Sequence, residues 1–393
     1  MAKIRGLFIT ELRPYPPYGG QFMRCYQLLA SLNHYFDIVV LAPNVAPTCL
    51  LAADVQAWHE LPGYNQHTSL AHAQNFYYRL MPRPTWAQCI ADLCQTYQPN
   101  FIWFDFGHWG QYVPLVRRSH VCTIMDTHNI QSQLTHQVSR AFPMFSNERV
   151  INWLRYLAQQ QHERFLFCRF NRIVSVSETD RRYHARFVGD QRSVLIPNYI
   201  DEANYDCGQI ARRDNLVVMT ANFTAPQNRH GASWLLNRIW PLIRQAVPQA
   251  ELRLVGRGAD ELFREGDAPP GVSCVAEVPT VAPHLREAAL AVVPLKHGGG
   301  TRLKILEAWA CEAPVVSTNL GAAGLQVQSG ENIILADSAR SLAQEAVYLL
   351  NNPHVGAVLA HNGLITLRRH YAAAVNTNRL KRLVEGVLTE IAV

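Results

Sequence analysis

The chain has 393 residues, 48% hydrophobic and 17% charged, which is too long for one ordinary core and fits soluble globular material, so two domains of nearly equal size are expected. The formal charge of +6, from 36 basic and 30 acidic residues, is a mild bias. It calls for no nucleic-acid partner and suits anionic substrates or contact with an acidic membrane surface, with Arg181 and Arg182 as the place to look for a basic patch.

Nine cysteines lie scattered from Cys25 to Cys311 without CxxC or paired metal spacing, which argues against a disulfide framework and for buried free thiols. The segment MAKIRGLFITELRP lacks the apolar centre of a signal peptide, and no run approaches the roughly 20 apolar residues of a membrane helix. The expectation is a cytoplasmic protein, peripheral to a membrane at most.

In chain order the first half alternates IRGLFIT, a helix over QFMRCYQLLASLNHY, DIVVLAP, FIWFDF, CTIMDTH and RIVSVS, a pattern of parallel strands covered by helices. The polar stretch NYIDEANYDCGQIARRD (198–214) reads as a linker. The alternation resumes with NLVVMTANF, a helix over GASWLLNRIWPLIRQAV, strands ELRLVG and SCVAEV, and a helix near VAPHLREAA. The tail from Asn362 reads as helix. These boundaries put one domain at 1–205 and the second at 206–371, with 372–393 able to pack back on the first.

The densest chemistry lies in HGGGTRLKILEAWAC (297–311). AALAVVPL before it has a strand's pattern, Leu303, Leu306 and Ala310 recur at helical spacing, and VVSTN beyond Pro314 is a further strand. The glycines therefore fill a strand-to-helix turn, where amides can face an anion at the positive end of the helix dipole. Arg302 and Lys304 fall in the first helical turn, placed to neutralise a diphosphate, the guanidinium bidentately. Glu307, three residues past Lys304, shares its face and can reach vicinal hydroxyls. The structural alternative is a surface Lys304/Glu307 ion pair worth about 0.2–0.5 kcal/mol, which has no need of three glycines.

ELRLVGRG ends a strand with Gly256 and Gly258, but the third glycine of a dinucleotide fingerprint is replaced by Glu261, which sets a nicotinamide dehydrogenase aside. In the first half, ELRPYPPYGGQFMRC places Gly19 and Gly20 at the start of the first long helix, as a flexible turn or a glycine loop. Asp126, His128 and Asn129 end the strand CTIMDTHN at the edge where ligands of open α/β sheets gather, and Asp105 and His108 end another. Ser177 and Glu178 in SVSETD are equally plausible as a helix cap.

The segment GGGTRLKILEAWACEAPVVSTNLGAAG, with VGRG and IPN before it and SGEN after it, resembles the retaining glycosyltransferases of family 4, most specifically from Asn215 to about Leu350. The resemblance implies an α/β chain of GT-B fold: two facing Rossmann-like domains with parallel sheets across a cleft, donor in the C-terminal domain and acceptor mainly in the N-terminal one. It implies a metal-independent hexosyltransferase with no permanently bound cofactor. The donor would be a nucleoside-diphosphate sugar, UDP- or GDP-linked, and the acceptor a glycan, lipid-linked saccharide or small molecule.

Of the family's two glutamates separated by seven residues, the second matches Glu307, expected on the donor ribose. The first falls at Gly299, so that amides of Gly299, Gly300 and Thr301 are left to make the sugar contacts. Arg302 and Lys304 look like the cation pair of a branch carrying GTRLK. The Arg and Lys that many relatives place early in the C-terminal domain are not both present in ANFTAPQNRHG, where Asn222, Asn228 and Arg229 supply polar groups. The resemblance also sets the loop at Gly19 and Gly20 near the donor phosphate or the acceptor, with Arg13 and Tyr18 selecting the acceptor. It sets His128 on the transferred sugar, Gly256 beside the nucleotide, the backbone at Glu277 and Val278 against the base, and Ser177 and Glu178 in the family's strand-end segment. Two other readings stay open: a catalytically silent nucleotide-sugar binding subunit, which Gly299 favours, and a GT-B nucleotide-sugar epimerase.

Overall fold

The computed structural model describes residues 3–15, 20–43, 54–64, 82–116, 121–140, 142–263, 267–298 and 302–392. The chain divides into two compact units, Met1–Pro197 with Thr377–Val393, and Asn198–Asn376.

The first unit runs β1 (Arg5–Ile9), α1 (Gly20–Tyr35), β2 (Asp37–Ala42), β3 (Ala57–Glu60), α2 (Pro84–Tyr97), β4 (Phe101–Asp105), β5 (Cys122–Asp126), α3 (Gln131–Arg140), α4 (Asn147–Phe167), β6 (Arg172–Ser175), α5 (Glu178–Val188) and β7 (Ser193–Leu195). Its seven strands pair in the order β3-β2-β1-β4-β5-β6-β7, each adjacent pair parallel. β4 and β5 are buried along their whole length, as a parallel sheet covered on both faces requires, and their continuous apolar runs are the reason they form there. A Cβ at Gly6 of β1 would lie 2.3 Å from the Phe101 ring; the glycine makes room for the first aromatic of β4.

The second unit runs β8 (Arg213–Thr220), α6 (Pro226–Trp234), a π segment Leu235–Ile239, α7 (Trp240–Ala246), β9 (Glu251–Val255), β10 (Val272–Val275), α8 (Ala282–Glu287), β11 (Ala288–Val293), α9 (Leu303–Ala310), β12 (Val315–Ser317), β13 (Ile334–Leu335), α10 (Ala339–Asn351) and α11 (Pro353–His370). The order is β10-β9-β8-β11-β12-β13, again all parallel. Two cores flank this sheet. Leu235, Ile239, Trp240 and Leu342 belong to one, and Ile305, Leu306 and Trp309 of α9 belong to the other. Trp309 fixes α9 in place: its indole N–H donates to the Asn332 carbonyl at 3.1 Å, and a Cβ at Gly363 of α11 would sit 2.3 Å from its ring.

Several boundaries differ from the sequence reading. The units part after Pro197, because residues 198–205 pack into the second unit: Ile200 is buried and bridges to Ala372, and Tyr205 packs against the core that holds α9. The tail is two helices, α11 and α12 (Ala373–Ala392), broken at Tyr371, and only from Thr377 does it join the first unit. The helix expected from 231 begins at Pro226 and widens to a π turn before Pro241, which has no N–H for the preceding turn. The short strands β3 and β7 carry too few residues to show a period. All eight described cysteines are free, but only Cys25, Cys94, Cys122 and Cys311 are buried, and Cys168 is exposed.

Candidate functional site

Both sheets reverse their strand order at one point, and polar residues gather there, at the carboxyl ends of the strands, where open α/β sheets bind ligands. In the second unit the reversal lies between β8 and β11. The loop after β8 carries Asn222, and the loop after β11 leads through Gly298 to α9. Gly299, Gly300 and Thr301 lie outside the described residues.

Arg302 is the N-cap residue of α9, and among the described residues no side chain caps the helix. Within the first turn the Ile305 amide donates to the Arg302 carbonyl at 3.0 Å, and helix starts leave such amides facing outward. Arg302 is buried, and its Nη2 donates to the Gly298 carbonyl at 2.8 Å, with Gly298 at φ +111. Burial pulls the guanidinium pKa down to about 10. Lys304 donates from Nζ to Asn228 Oδ1 at 3.0 Å. Asn228 Nδ2 in turn donates to the Asn222 carbonyl at 2.8 Å, while Asn222 Oδ1 accepts from the Thr224 amide and hydroxyl at 3.1 and 2.7 Å. Burial, and then Arg302, lower the Lys304 pKa to about 8, with Glu307 opposing. The acceptor of Lys304 is a neutral amide, so its charge is poorly compensated where it stands.

Glu307, one turn further, does not pair with Lys304 as the surface alternative required. It accepts from the Tyr205 hydroxyl at 3.1 Å. Burial raises its pKa, with Tyr205 and Lys304 holding it down, and the Tyr205 phenol is itself pushed up by burial and by Glu307. Gly256, at φ +125, crosses so close to the loop after β8 that a Cβ would meet the Ala221 carbonyl oxygen at 2.2 Å. Its amide donates to the Val275 carbonyl at 2.9 Å. Val278 turns its side chain into the core under α9, which leaves its backbone for any contact with a base. Arg229 is engaged elsewhere, with Glu261 at 3.0 Å.

The first unit reverses between β1 and β4, and its polar network bridges that point. Thr10 Oγ1, just past β1, donates to Asp105 Oδ2 at 2.6 Å. Asp105 Oδ1 meets His128 Nε2 at 2.5 Å, and Asp126 Oδ2 lies 3.4 Å from the same nitrogen. The His128 ring stacks on Phe106, centroids 4.3 Å apart. Arg24 of α1 is buried and pairs with both oxygens of Asp126, Nε to Oδ2 at 2.8 Å and Nη2 to Oδ1 at 2.5 Å. Burial raises the Asp126 pKa and Arg24 opposes it. Asp105, Asp126 and His128 have ligand atoms within 4.8 Å of one another and by type suit a divalent ion, but Arg24 already occupies both oxygens of Asp126. His108, read beside Asp105 in the sequence, instead has its Nε2 2.9 Å from Glu11 Oε1.

Gly20 is the first residue of α1, and Arg13 is exposed; Gly19 and Tyr18 lie outside the described residues. Ser177 caps α5, its Oγ accepting from the Asp180 amide at 3.1 Å, and Glu178 pairs with Arg181 and Arg182. The strand-end pair is thus engaged in starting a helix, and the basic patch looked for at Arg181 and Arg182 is neutralised. The structure adds Tyr205 and Arg24, which the sequence reading missed. Tyr205 sits in a stretch with a linker's composition, and Arg24 on a helix whose pattern shows only an interruption in its apolar face.

Comparison with known proteins gives the family that part of this chain matches. Residues 214–352 match the family of glycosyl transferases group 1. A phosphatidyl-myo-inositol mannosyltransferase of Mycobacterium leprae is 26% identical over 226 residues, 55% of this chain and 59% of that protein. The chain spans under two thirds of the length of the curated relatives it matches, 58% and 59%. Sucrose-phosphate synthase from Thermosynechococcus elongatus superposes with TM-score 0.74 at 17% identity, over 99% of this chain and 100% of that one. HepE of Anabaena, solved with UDP-glucose, superposes with TM-score 0.66 at 14% identity, over 98% and 100%. The fold is GT-B.

Proposed function

We propose that this chain, a group 1 glycosyl transferase over residues 214–352, moves a hexose-type sugar from a nucleoside-diphosphate sugar to an acceptor hydroxyl with retention of configuration. The observation that carries the reading is the turn into α9. A buried guanidinium and a charge-strained ammonium stand two residues apart at the start of a helix, with a carboxylate one turn behind.

Arg302, Lys304 and the first-turn amides would hold the diphosphate and take up the charge that develops as it leaves. Glu307, steadied by Tyr205, would accept from the ribose hydroxyls. Gly256 lets the backbone close in beside the nucleotide, and the backbone at Val278 is offered to the base. Asn222 joins through Asn228, which positions Lys304. In a front-face transfer the departing phosphate helps to take the acceptor proton, and no dedicated protein base or metal is required; positioning then supplies most of the protein's share. The first unit would hold the acceptor, with Gly19 and Gly20 at its glycine loop and His128 on the transferred sugar. That HepE was solved with UDP-glucose supports a UDP- or GDP-linked donor. The setting would be cytoplasmic synthesis of a glycan, polysaccharide or glycolipid.

The test is a thermal-shift screen of UDP-, GDP- and ADP-sugars, since a ligand at a hundred times its Kd stabilises the fold by about 2.7 kcal/mol, followed by mass analysis of any donor consumed. Release of free sugar without acceptor supports the transferase. Binding without turnover supports the silent subunit that Gly299 favours, and a donor converted to its epimer supports the third reading.

A further inference from the structure

One exposed apolar surface among the described residues belongs to neither polar network. Val150, Ile151, Trp153, Leu154 and Leu157 of α4 are all exposed, Leu154 at 54%. At 100° per residue they cover one arc of about 160°. The opposite side of the helix is where the protein packs: Tyr156 stacks on His136 of α3 at 4.7 Å, and Arg149 donates to the Phe142 carbonyl. The turn that feeds the helix is exposed as well, with Met144 at 67% and Phe145 at 92%. Scattered exposed apolar residues are ordinary, but seven within fourteen consecutive positions, five of them on one helix face, call for a partner.

We propose that this face of α4 with the turn before it seats the protein on a bilayer rich in anionic lipid. The charge around it selects that occupant. Arg155 and Arg164 of α4 are exposed beside or in line with the apolar arc and Arg140 is exposed at the end of α3, whereas Glu148 is the one exposed carboxylate from residue 140 to 164 among the described residues. Glu163 is buried and accepts from the Ser132 amide and hydroxyl. A helix with an apolar face that includes Trp, rimmed by arginine, has the composition of one lying in the headgroup boundary. Among the described residues no helix is long and apolar enough to span a bilayer, so attachment by this face is along the surface.

The experiment is co-sedimentation of the full chain with vesicles of phosphatidylcholine alone or mixed with phosphatidylglycerol. The expected result is partition onto the mixed vesicles that falls about tenfold in Phe145→Ser/Leu154→Ser and in Arg155→Gln/Arg164→Gln, while Val358→Ser, at another exposed apolar position of the second unit, leaves it unchanged. Should the double serine variant melt early, quenching of Trp153 fluorescence by brominated lipid replaces it, with Trp153→Phe as the control that loses the signal. Absence of partition onto the mixed vesicles, or partition untouched by these substitutions, overturns the proposal. So does a dimer that the serine variant dissociates without any vesicle binding, which would assign the face to a second copy of the chain.

Discussion

Replacing Lys304 by methionine separates a ligand-binding cation from a structural one. The ammonium pKa drops from 10.5 to about 8 in the fold. At about 1.4 kcal/mol per unit, its charge costs the ligand-free protein on the order of 3 kcal/mol, cut to about 2 by the solvent that still reaches this half-buried group. Methionine removes that cost and forfeits the hydrogen bond to Asn228, worth about 1 kcal/mol. A net gain of about 1 kcal/mol shifts the melting temperature of a unit this size up by about 2–4 °C. The loss of a cation from the diphosphate should meanwhile lower turnover about 100- to 1000-fold.

The pH dependence carries the sign. Below pH 8 Lys304 is protonated folded and unfolded, and its full cost is present. Between about 8 and 10.5 the unfolded chain binds the proton that the folded one has shed, so wild-type stability recovers as pH rises. The stability advantage of Lys304→Met should therefore shrink from pH 7 and reverse towards pH 10, where the lost bond to Asn228 outweighs the vanished charge cost. The assay pairs melting of the ligand-free protein across that range with donor turnover at fixed pH. A methionine variant that melts several degrees lower at pH 7, or one with unchanged turnover on a verified donor, would refute the reasoning.

Other outcomes follow from the same geometry. Arg302→Ala should lose about 100- to 1000-fold in rate with the fold intact by circular dichroism; near wild-type turnover would remove it from the diphosphate. Glu307→Gln should chiefly weaken nucleotide binding, and Tyr205→Phe should weaken it by about tenfold through Glu307; unchanged affinity by calorimetry in both would count against the ribose assignment. Gly256→Ala must place a Cβ 2.2 Å from a backbone oxygen at φ +125, which should cost about 3 kcal/mol in urea unfolding, and an unperturbed midpoint would show that the two loops can separate.

The start of α9 was legible in the chain because its parts are adjacent: glycines, Arg302, Lys304 and Glu307 fall within ten residues, and helical spacing alone puts the last two on one face. What they touch was not legible. Asn228 reaches Lys304 across 76 positions, and Tyr205 reaches Glu307 across 102. Nothing in local pattern marks either, since the strand order, and not the sequence spacing, brings the loop after β8 beside the loop after β11. The same holds for Arg24 and Asp126, also 102 positions apart.

By itself the sequence determined the fold class, since apolar runs of strand length alternating with helical periods admit little besides a covered parallel sheet, and it put Arg302, Lys304 and Glu307 together at one helix start. Tertiary structure alone decided which charges are compensated. Burial strained Lys304 and paired Glu307 with a phenol. It also cancelled Arg181 and Arg182 against Glu178 and Asp190, and left the apolar face of α4 in solvent. Charge and hydrophobicity are properties of single residues, but their free energy depends on which neighbours and how much water remain around them, and only the folded chain sets that.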